Sequence, residues 1–488
     1  MHRSPSMTEI GQIRVMALFC AGLLVAYAGV WSYGFVYEDY RALQAGVLPF
    51  VLGPRGLSSW LWWRDPVASH LLSLGLHVVV GGLTWLLGRR LGLSRQAAVL
   101  AAGVLLLHPM AVETSVYLSS RTELIAAIGI LLACLCATGP RWAWLLILPA
   151  IALGVLGKES AIVGLGLVPL VWAYRRPTWW TWALVGVGAL AWIPLGVYRL
   201  GSLAALVHAD DVTSGLGGSW WALMQSTAVF RLAVLSVVSW LPVGHTIDFD
   251  YDAIPLLSRV AAFVLLGLVS LVLWLYRARV PQLVLFACAA CLIALVPRMV
   301  IQTPRAYLSE HQFYVPLIFV VIAAAACWDV WRQTVWLFNF GLTRSWSSRR
   351  VANIVTPLWL HRRDIVTVGL LLCLTWQTRA AVQVWQSDYT LWQYAYFMAP
   401  TKPRPAANYA VALLVQGERR AGAAVLDHAA VLAQAPHVTP WDRREALEMV
   451  EINRRVLRDM DAQAYLRNEA ALATFSPPPH ASMHAPTP

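Results

Sequence analysis

Glu38 and Asp39 stand side by side in Gly34-Phe35-Val36-Tyr37-Glu38-Asp39-Tyr40, directly after the first long apolar run. Two adjacent carboxylates where an apolar helix meets water can take up a proton or hold a hard cation. Other ionisable residues recur at or inside the ends of apolar runs, Arg64-Asp65, Glu113, Arg121 and Glu123, Lys158-Glu159, Arg305 and Glu310, and Arg231 falls within one. Charged side chains kept at membrane depth mark a site by default, usually beside a partner of opposite sign. Histidines accompany them. His70 and His77 share one face of a helix, His108 precedes Pro109, which should end or kink its helix, and His311 sits with Tyr314 in Ser309-Glu310-His311-Gln312-Phe313-Tyr314-Val315-Pro316. The blander readings are a capped hairpin around Glu113 and Arg121, buried hydrogen-bonding histidines, and an interfacial aromatic belt around Tyr314.

Membrane helices must position these groups. The 488 residues are 59% hydrophobic and 13% charged, with a mean hydropathy of +0.60. A soluble globular chain carries about 25% charge. The chain therefore reads as an all-α polytopic membrane protein. Many of the 25 tryptophans cluster (Trp60, Trp62, Trp63; Trp179, Trp180, Trp182; Trp220, Trp221), as rings at headgroup level do. About 11 apolar runs reach spanning length, at 10–33, 66–88, 95–112, 122–138, 142–157, 159–174, 178–198, 258–276, 281–297, 313–331 and 364–384. Ala26-Tyr27-Ala28 resembles a signal-peptidase site, but the apolar run continues past it, which favours a retained anchor. The stretch 220–241 carries Arg231 at its middle, which costs about 2.5 to 3.5 kcal/mol on insertion scales. It is expected to lie on the outer surface or to be re-entrant, within an outer segment 200–257.

Charge orients the bundle. With the N-terminus inside, the inner loops hold 16 basic and three acidic residues, including a cytoplasmic basic loop 332–363, and the outer face holds 11 basic and 12 acidic residues. That partition obeys the positive-inside rule. It also accounts for the net charge of +12 without a nucleic-acid partner. The seven cysteines lie inside apolar runs, and Cys288-Ala-Ala-Cys291 has no histidine partner, so neither zinc nor a disulfide framework is expected.

The ordered set resembles a known family. The acidic pair after the first span, Arg64-Asp65-Pro66 leading into Ser69-His70 and His77, His108-Pro109 with Glu113, Arg121-Thr122-Glu123-Leu124, and Lys158-Glu159 look like the membrane core of the O-mannosyltransferases that carry tetratricopeptide repeats, within the C superfamily of glycosyltransferases. Glu310 to Pro316 resembles that family's charged segment ending in Tyr-Leu-Pro, with Val315 in place of Leu. The tail agrees: Trp385 to Trp392 resembles the link to the repeats, and Ala407 to Pro436 resembles one repeat of two antiparallel helices. Two departures stand out. The pair is Glu-Asp where eukaryotic members often have two Asp, and one clear repeat replaces several.

The resemblance implies a membrane domain over 1–385 with a first outer loop 34–65, an outer-face repeat-like helical domain over 386–475, and a disordered tail 476–488. It implies transfer of a sugar from a polyprenyl-phosphate donor to an acceptor hydroxyl of a protein or glycan. The site would face the outside of a membrane, in a bacterium the inner one, with the C-terminal domain also outside. Asp39 matches the family's catalytic carboxylate by position and is the expected base of a single inverting displacement, with Glu38 as the alternative. Arg64, Arg121, Lys158, Arg231 and Arg305 are the expected holders of the donor phosphate. His70, His108, Glu113, Glu123, Glu159, Glu310, His311 and Tyr314 are expected in support. No metal is assigned; a divalent cation, Mg or Mn, on Glu38, Asp39 and Glu113 is the alternative arrangement. The rival functions are a transporter or flippase of lipid-linked sugars, and a scaffold making protein contacts through the repeat. Neither inverted repeats nor acids near mid-membrane are present, which counts against transport.

Overall fold

A computed structural model of the protein describes residues 7–36, 39, 65–190, 254–277, 280–300, 309–345, 349–436, 438 and 440–473. Residues 200–253 of the segment 200–257, residues 37, 38 and 40–64 of the loop 34–65, and the tail 476–488 lie outside the described residues. Among the described residues the chain is all-helical, with no strand.

The helices are α1 Met7–Ala26, α2 Pro66–Leu91, α3 Arg95–Leu106, α4 Val112–Val116, α5 Arg121–Thr138, α6 Ile147–Gly157, α7 Gly164–Arg175, α8 Trp179–Leu190, α9 Leu256–Leu275, α10 Gln282–Val300, α11 Tyr314–Ser345, α12 Arg349–Val384, α13 Asp388–Met398, α14 Pro403–Val415, α15 Arg419–Ala433 and α16 Pro440–Ala473. The described parts of the eleven apolar runs lie mostly on helix. Among the described residues, four stretches are long and apolar enough to cross a membrane: Pro66–Leu91, Leu118–Thr138, Leu256–Leu275 and Glu310–Arg332. A fifth is the pair Arg95–Leu106 and Pro109–Val116, bent by 58°. Some of the expected spans are divided among shorter helices at charged breaks, and residues 191–198 of another lie outside the described residues. Lys158, in extended conformation, separates α6 from the 3₁₀ turn Glu159–Val163. The 11 residues of α6 extend only about 17 Å.

The chain has two compact units, Met1–Pro400 and Thr401–Pro488. In the first, α5 is the hub: 72% of the Leu118–Thr138 window is buried, against 6% of Leu256–Leu275. Small residues allow this. A Cβ on Gly129 would stand 2.5 Å from the Gly154 backbone, so α5 and α6 touch main chain to main chain. By contrast α9 presents Leu257, Val264, Leu268, Val272 and Trp274 to its surroundings almost all round. Such a helix suits lipid, and the set of long apolar helices gives the protein its membrane-associating character.

Opposite ends of the first unit carry different chemistry. At one end the last turns of α2, α5 and α7 meet the start of α3. Arg175 donates to the carbonyls of Thr138 (2.9 Å) and Arg90 (3.3 Å), and Asp329 accepts from the Ser94 amide (2.7 Å) and hydroxyl (2.6 Å). Arginines there also complement the negative ends of helix dipoles. The basic segment 332–363 is helical through Ser345 and again from Arg349. The acids gather at the other end.

The second unit is a three-helix arrangement. α14 and α15 are joined by a turn in which Gly417 adopts φ +84 and the Glu418 amide donates to the Leu413 carbonyl, a helix-ending geometry that favours glycine. So short a turn makes the two helices antiparallel.

Candidate functional site

Asp39 is fully buried. Its Oδ1 accepts from the Ser119 amide and the Ser119 hydroxyl, both at 3.0 Å, and its Oδ2 accepts from the Val36 amide at 3.3 Å. The Asp39 amide donates back to the Val36 carbonyl at 3.1 Å, closing a tight local loop. Burial pushes the carboxyl up from its ordinary 3.8 to about 7, against the hydrogen bonds from Val36 and Ser119 and the charge of Arg121, which act to lower it. A carboxyl so poised exchanges a proton near neutral pH.

Ser119 is held by the segment that follows the kink. His108 caps the 3₁₀ turn Pro109–Ala111, its Nδ1 accepting from the Met110 amide (3.2 Å). α4 follows, and the 3₁₀ turn Leu118–Ser120 then leads into α5 at Arg121. The Arg121 side chain is wholly buried against α2, with Nε donating to the Ser73 hydroxyl (2.9 Å) and Nη2 to the Ser69 carbonyl (2.7 Å). So Arg121 reaches Asp39 through its field while its donors fasten α5 to α2.

Lys158 forms an ion pair with Glu123 at 2.5 Å, both side chains under a tenth exposed. It links α5 to the end of α6. Removing one partner of such a pair strands the other charge, at about 3–5 kcal/mol. A cavity beside it, lined by Glu123, Ser160 and Gln312 among others, is about 10 Å³, room for one water. Glu159 begins the 3₁₀ turn after Lys158 and is half-buried.

Glu113 grips His311 twice. Oε2 accepts from the His311 amide at 2.9 Å and Oε1 lies 2.7 Å from Nδ1. Glu310 is buried beside them, and its charge joins burial in raising the Tyr394 phenol on α13. Tyr314 lies beneath this rim. His77 donates Nε2–H to the Leu106 carbonyl (3.3 Å), which leaves Nδ1 to accept from the Tyr314 hydroxyl at 2.7 Å. By the same logic His70 donates Nε2–H to the Gly34 carbonyl (3.3 Å).

Asp39, His70, His108, Glu113, Arg121, Glu123, Lys158, Glu159, Glu310, His311 and Tyr314 thus fall on one connected end of the first unit. Glu38, Arg64, Arg231 and Arg305 lie outside the described residues. Asp65 caps α2 through the amides of Val67 and Ala68. Sequence reading missed Ser119, the closest partner of Asp39; two serines immediately before a charged helix start were the available signal. It also missed Tyr117, stacked on Trp385 at 5.0 Å. Among the described residues no group of three or more acids, histidines or cysteines is placed to hold a metal ion. No protein-family model, curated protein or solved structure matches the chain.

Proposed function

We propose that this protein is an integral membrane glycosyltransferase that moves a sugar from a polyprenyl-phosphate donor to an acceptor hydroxyl by inverting displacement. The observation that carries the reading is Asp39: a buried carboxyl near pKa 7, oriented by Ser119 and Val36, at the end of the bundle where other acids and two cations converge. Among the described residues its Oδ1 accepts from two donors and its Oδ2 from one, so Oδ2 keeps a lone pair that can take a proton once an acceptor hydroxyl reaches it. That oxygen takes the proton as the hydroxyl attacks the anomeric carbon, and the electron pair of the breaking bond leaves with the phosphate. Fixed donors in a water-poor site stabilise the departing charge without reorganising.

In this reading the short apolar helices α6, α7 and α8 complete their crossings with flanking turns, giving about eleven spans. The basic end is cytoplasmic and the Asp39 end faces outward. The helix pair α14–α15 acts as a single tetratricopeptide-like repeat, a surface for a protein partner. The donor's sugar and the acceptor, protein or glycan, are left to assay.

The test is direct. Asp39→Asn keeps the side chain's size and its hydrogen bond from the Ser119 amide but removes the base. Sugar transfer from labelled polyprenyl-phosphate sugars in proteoliposomes should fall by about 10²–10⁴-fold, with the protein still folded and inserted. Wild-type transfer by the Asn variant would remove Asp39 from the mechanism.

A further inference from the structure

The Glu113–His311 pair has a ring nitrogen in hand. A carboxylate only accepts, so the 2.7 Å contact puts the proton of His311 on Nδ1 and turns Nε2 outward on the far side of the ring. Among the described residues nothing bonds to Nε2, and the His311 side chain is 18% exposed while that of Glu113 is 5% exposed. The amide contact at 2.9 Å fixes the backbone as well. A carboxylate that fixes a histidine's tautomer and ring plane prepares the outer nitrogen for an external partner.

Position says what that partner is. Glu113 and Ser119 are the two ends of one short segment; Ser119 carries Asp39 and Glu113 carries His311. In a displacement at an anomeric carbon the incoming and departing oxygens lie on opposite sides. A base at one end of the segment leaves the other end to the departing group. Among the cations near this end, Lys158 pairs with Glu123, Arg121 donates to Ser69 and Ser73 between helices, and Arg379 donates to the Ala28 carbonyl.

We propose that His311, its ring held by Glu113, hydrogen-bonds through Nε2 to a non-bridging oxygen of the donor phosphate, the ring carrying a proton on each nitrogen in that complex. His311 is then a phosphate-binding residue. The inference rests on the transferase reading for the phosphate's carrier. It assigns His311 no covalent step: the acceptor's proton goes to Asp39 and the bonding pair to the phosphate oxygen.

Binding without turnover tests it. Full-length protein in nanodiscs of zwitterionic lipid is titrated with a long-chain polyprenyl monophosphate, with inorganic phosphate as competitor. Wild type should bind the lipid, and His311→Ala and Glu113→Gln should weaken binding by about 10- to 100-fold, the value of a charge-assisted hydrogen bond. His311→Arg, which keeps a cation, should recover most of it. In His311→Ala the amide contact to Glu113 persists but the buried carboxylate loses its ring partner, so a lower melting temperature should accompany the higher KM for donor, whereas Glu113→Gln strands no charge and should show the loss of affinity with a smaller thermal effect. Displacement by inorganic phosphate would assign recognition to the phosphate group itself; failure to displace would assign it to the lipid-linked form. Tight lipid binding by wild type with unchanged affinity in His311→Ala and Glu113→Gln would overturn the role of His311 and leave the transferase reading standing. A melting-temperature drop with unchanged affinity would make the pair a structural lock and also overturn it. A wild type that binds no polyprenyl phosphate would take down the transferase reading and this inference together.

Discussion

A carboxyl raised to about 7 makes activity and stability depend on pH in opposite directions. In the proposed role of base Asp39 would work only when ionised, so kcat/KM for sugar transfer should rise about tenfold per pH unit below 7 and level off above it. Ser119→Ala removes a donor that favours the carboxylate, so that limb should move to higher pH; an unmoved limb would mean another group sets it. Stability runs the other way. The folded pKa lies above the ordinary value of 3.8, so this group's contribution is fully present below about pH 4 and is lost as the pH rises to about 7. Asp39→Asn is neutral throughout. Its melting temperature should match wild type at pH 4 and exceed it by a few degrees at pH 8. A variant less stable at pH 8 would show that the ionised carboxyl is favoured by its surroundings, contrary to the effect of burial.

Between elements, the site depends on how closely α5 meets α6, because Glu123 comes from the first and Lys158 from the end of the second. Gly129 sets that distance: any Cβ would fall 2.5 Å from the Gly154 backbone and 2.6 Å from the Ala150 carbonyl oxygen. Main chain cannot move aside as a side chain can, so Gly129→Val should force the helices apart and lower the melting temperature by several degrees with loss of transfer. Gly75, on α2 with open space where its Cβ would go, is the control, and Gly75→Ala should be neutral or slightly stabilising. Equal effects at the two glycines would refute the close-packing argument. The sequence made the helices legible because apolar runs bounded by Pro, Gly and charge leave few other choices. It also made legible that Asp39, Glu113, Arg121, Glu123, Lys158 and His311 belong together. Their roles were not legible. Whether a buried cation faces a ligand or another helix depends on packing: Arg121, expected to hold phosphate, also donates from Nε and Nη2 to Ser73 and Ser69 of α2, contacts that no motif announces. Ser119 carries no motif and gains its importance only when the fold brings it onto Asp39, 80 residues earlier in the chain.

At the scale of the whole first unit, the reading requires the acid-rich end and the arginine-rich end to lie on opposite sides of a bilayer. The charge count along the sequence implies this, and the helical body separates the same two sets in space: Gly34 and His311 near Asp39 and Glu113, Arg90 and Arg175 at the ends of α2 and α7. A polyprenyl-linked sugar presented outside can react only if the first group is also outside. Single cysteines in a cysteine-free background report this: Gly34→Cys, exposed with open space for a side chain, Gln312→Cys beside His311, and exposed Arg176→Cys at the other end. An impermeant maleimide applied to intact cells should label positions 34 and 312 but reach 176 only after permeabilisation. Labelling of 34 and 312 from different sides would separate Asp39 from His311 and leave no common site. Labelling of both only from inside would keep the site and turn it to the cytoplasm, where a donor displayed on the outer leaflet could not reach it.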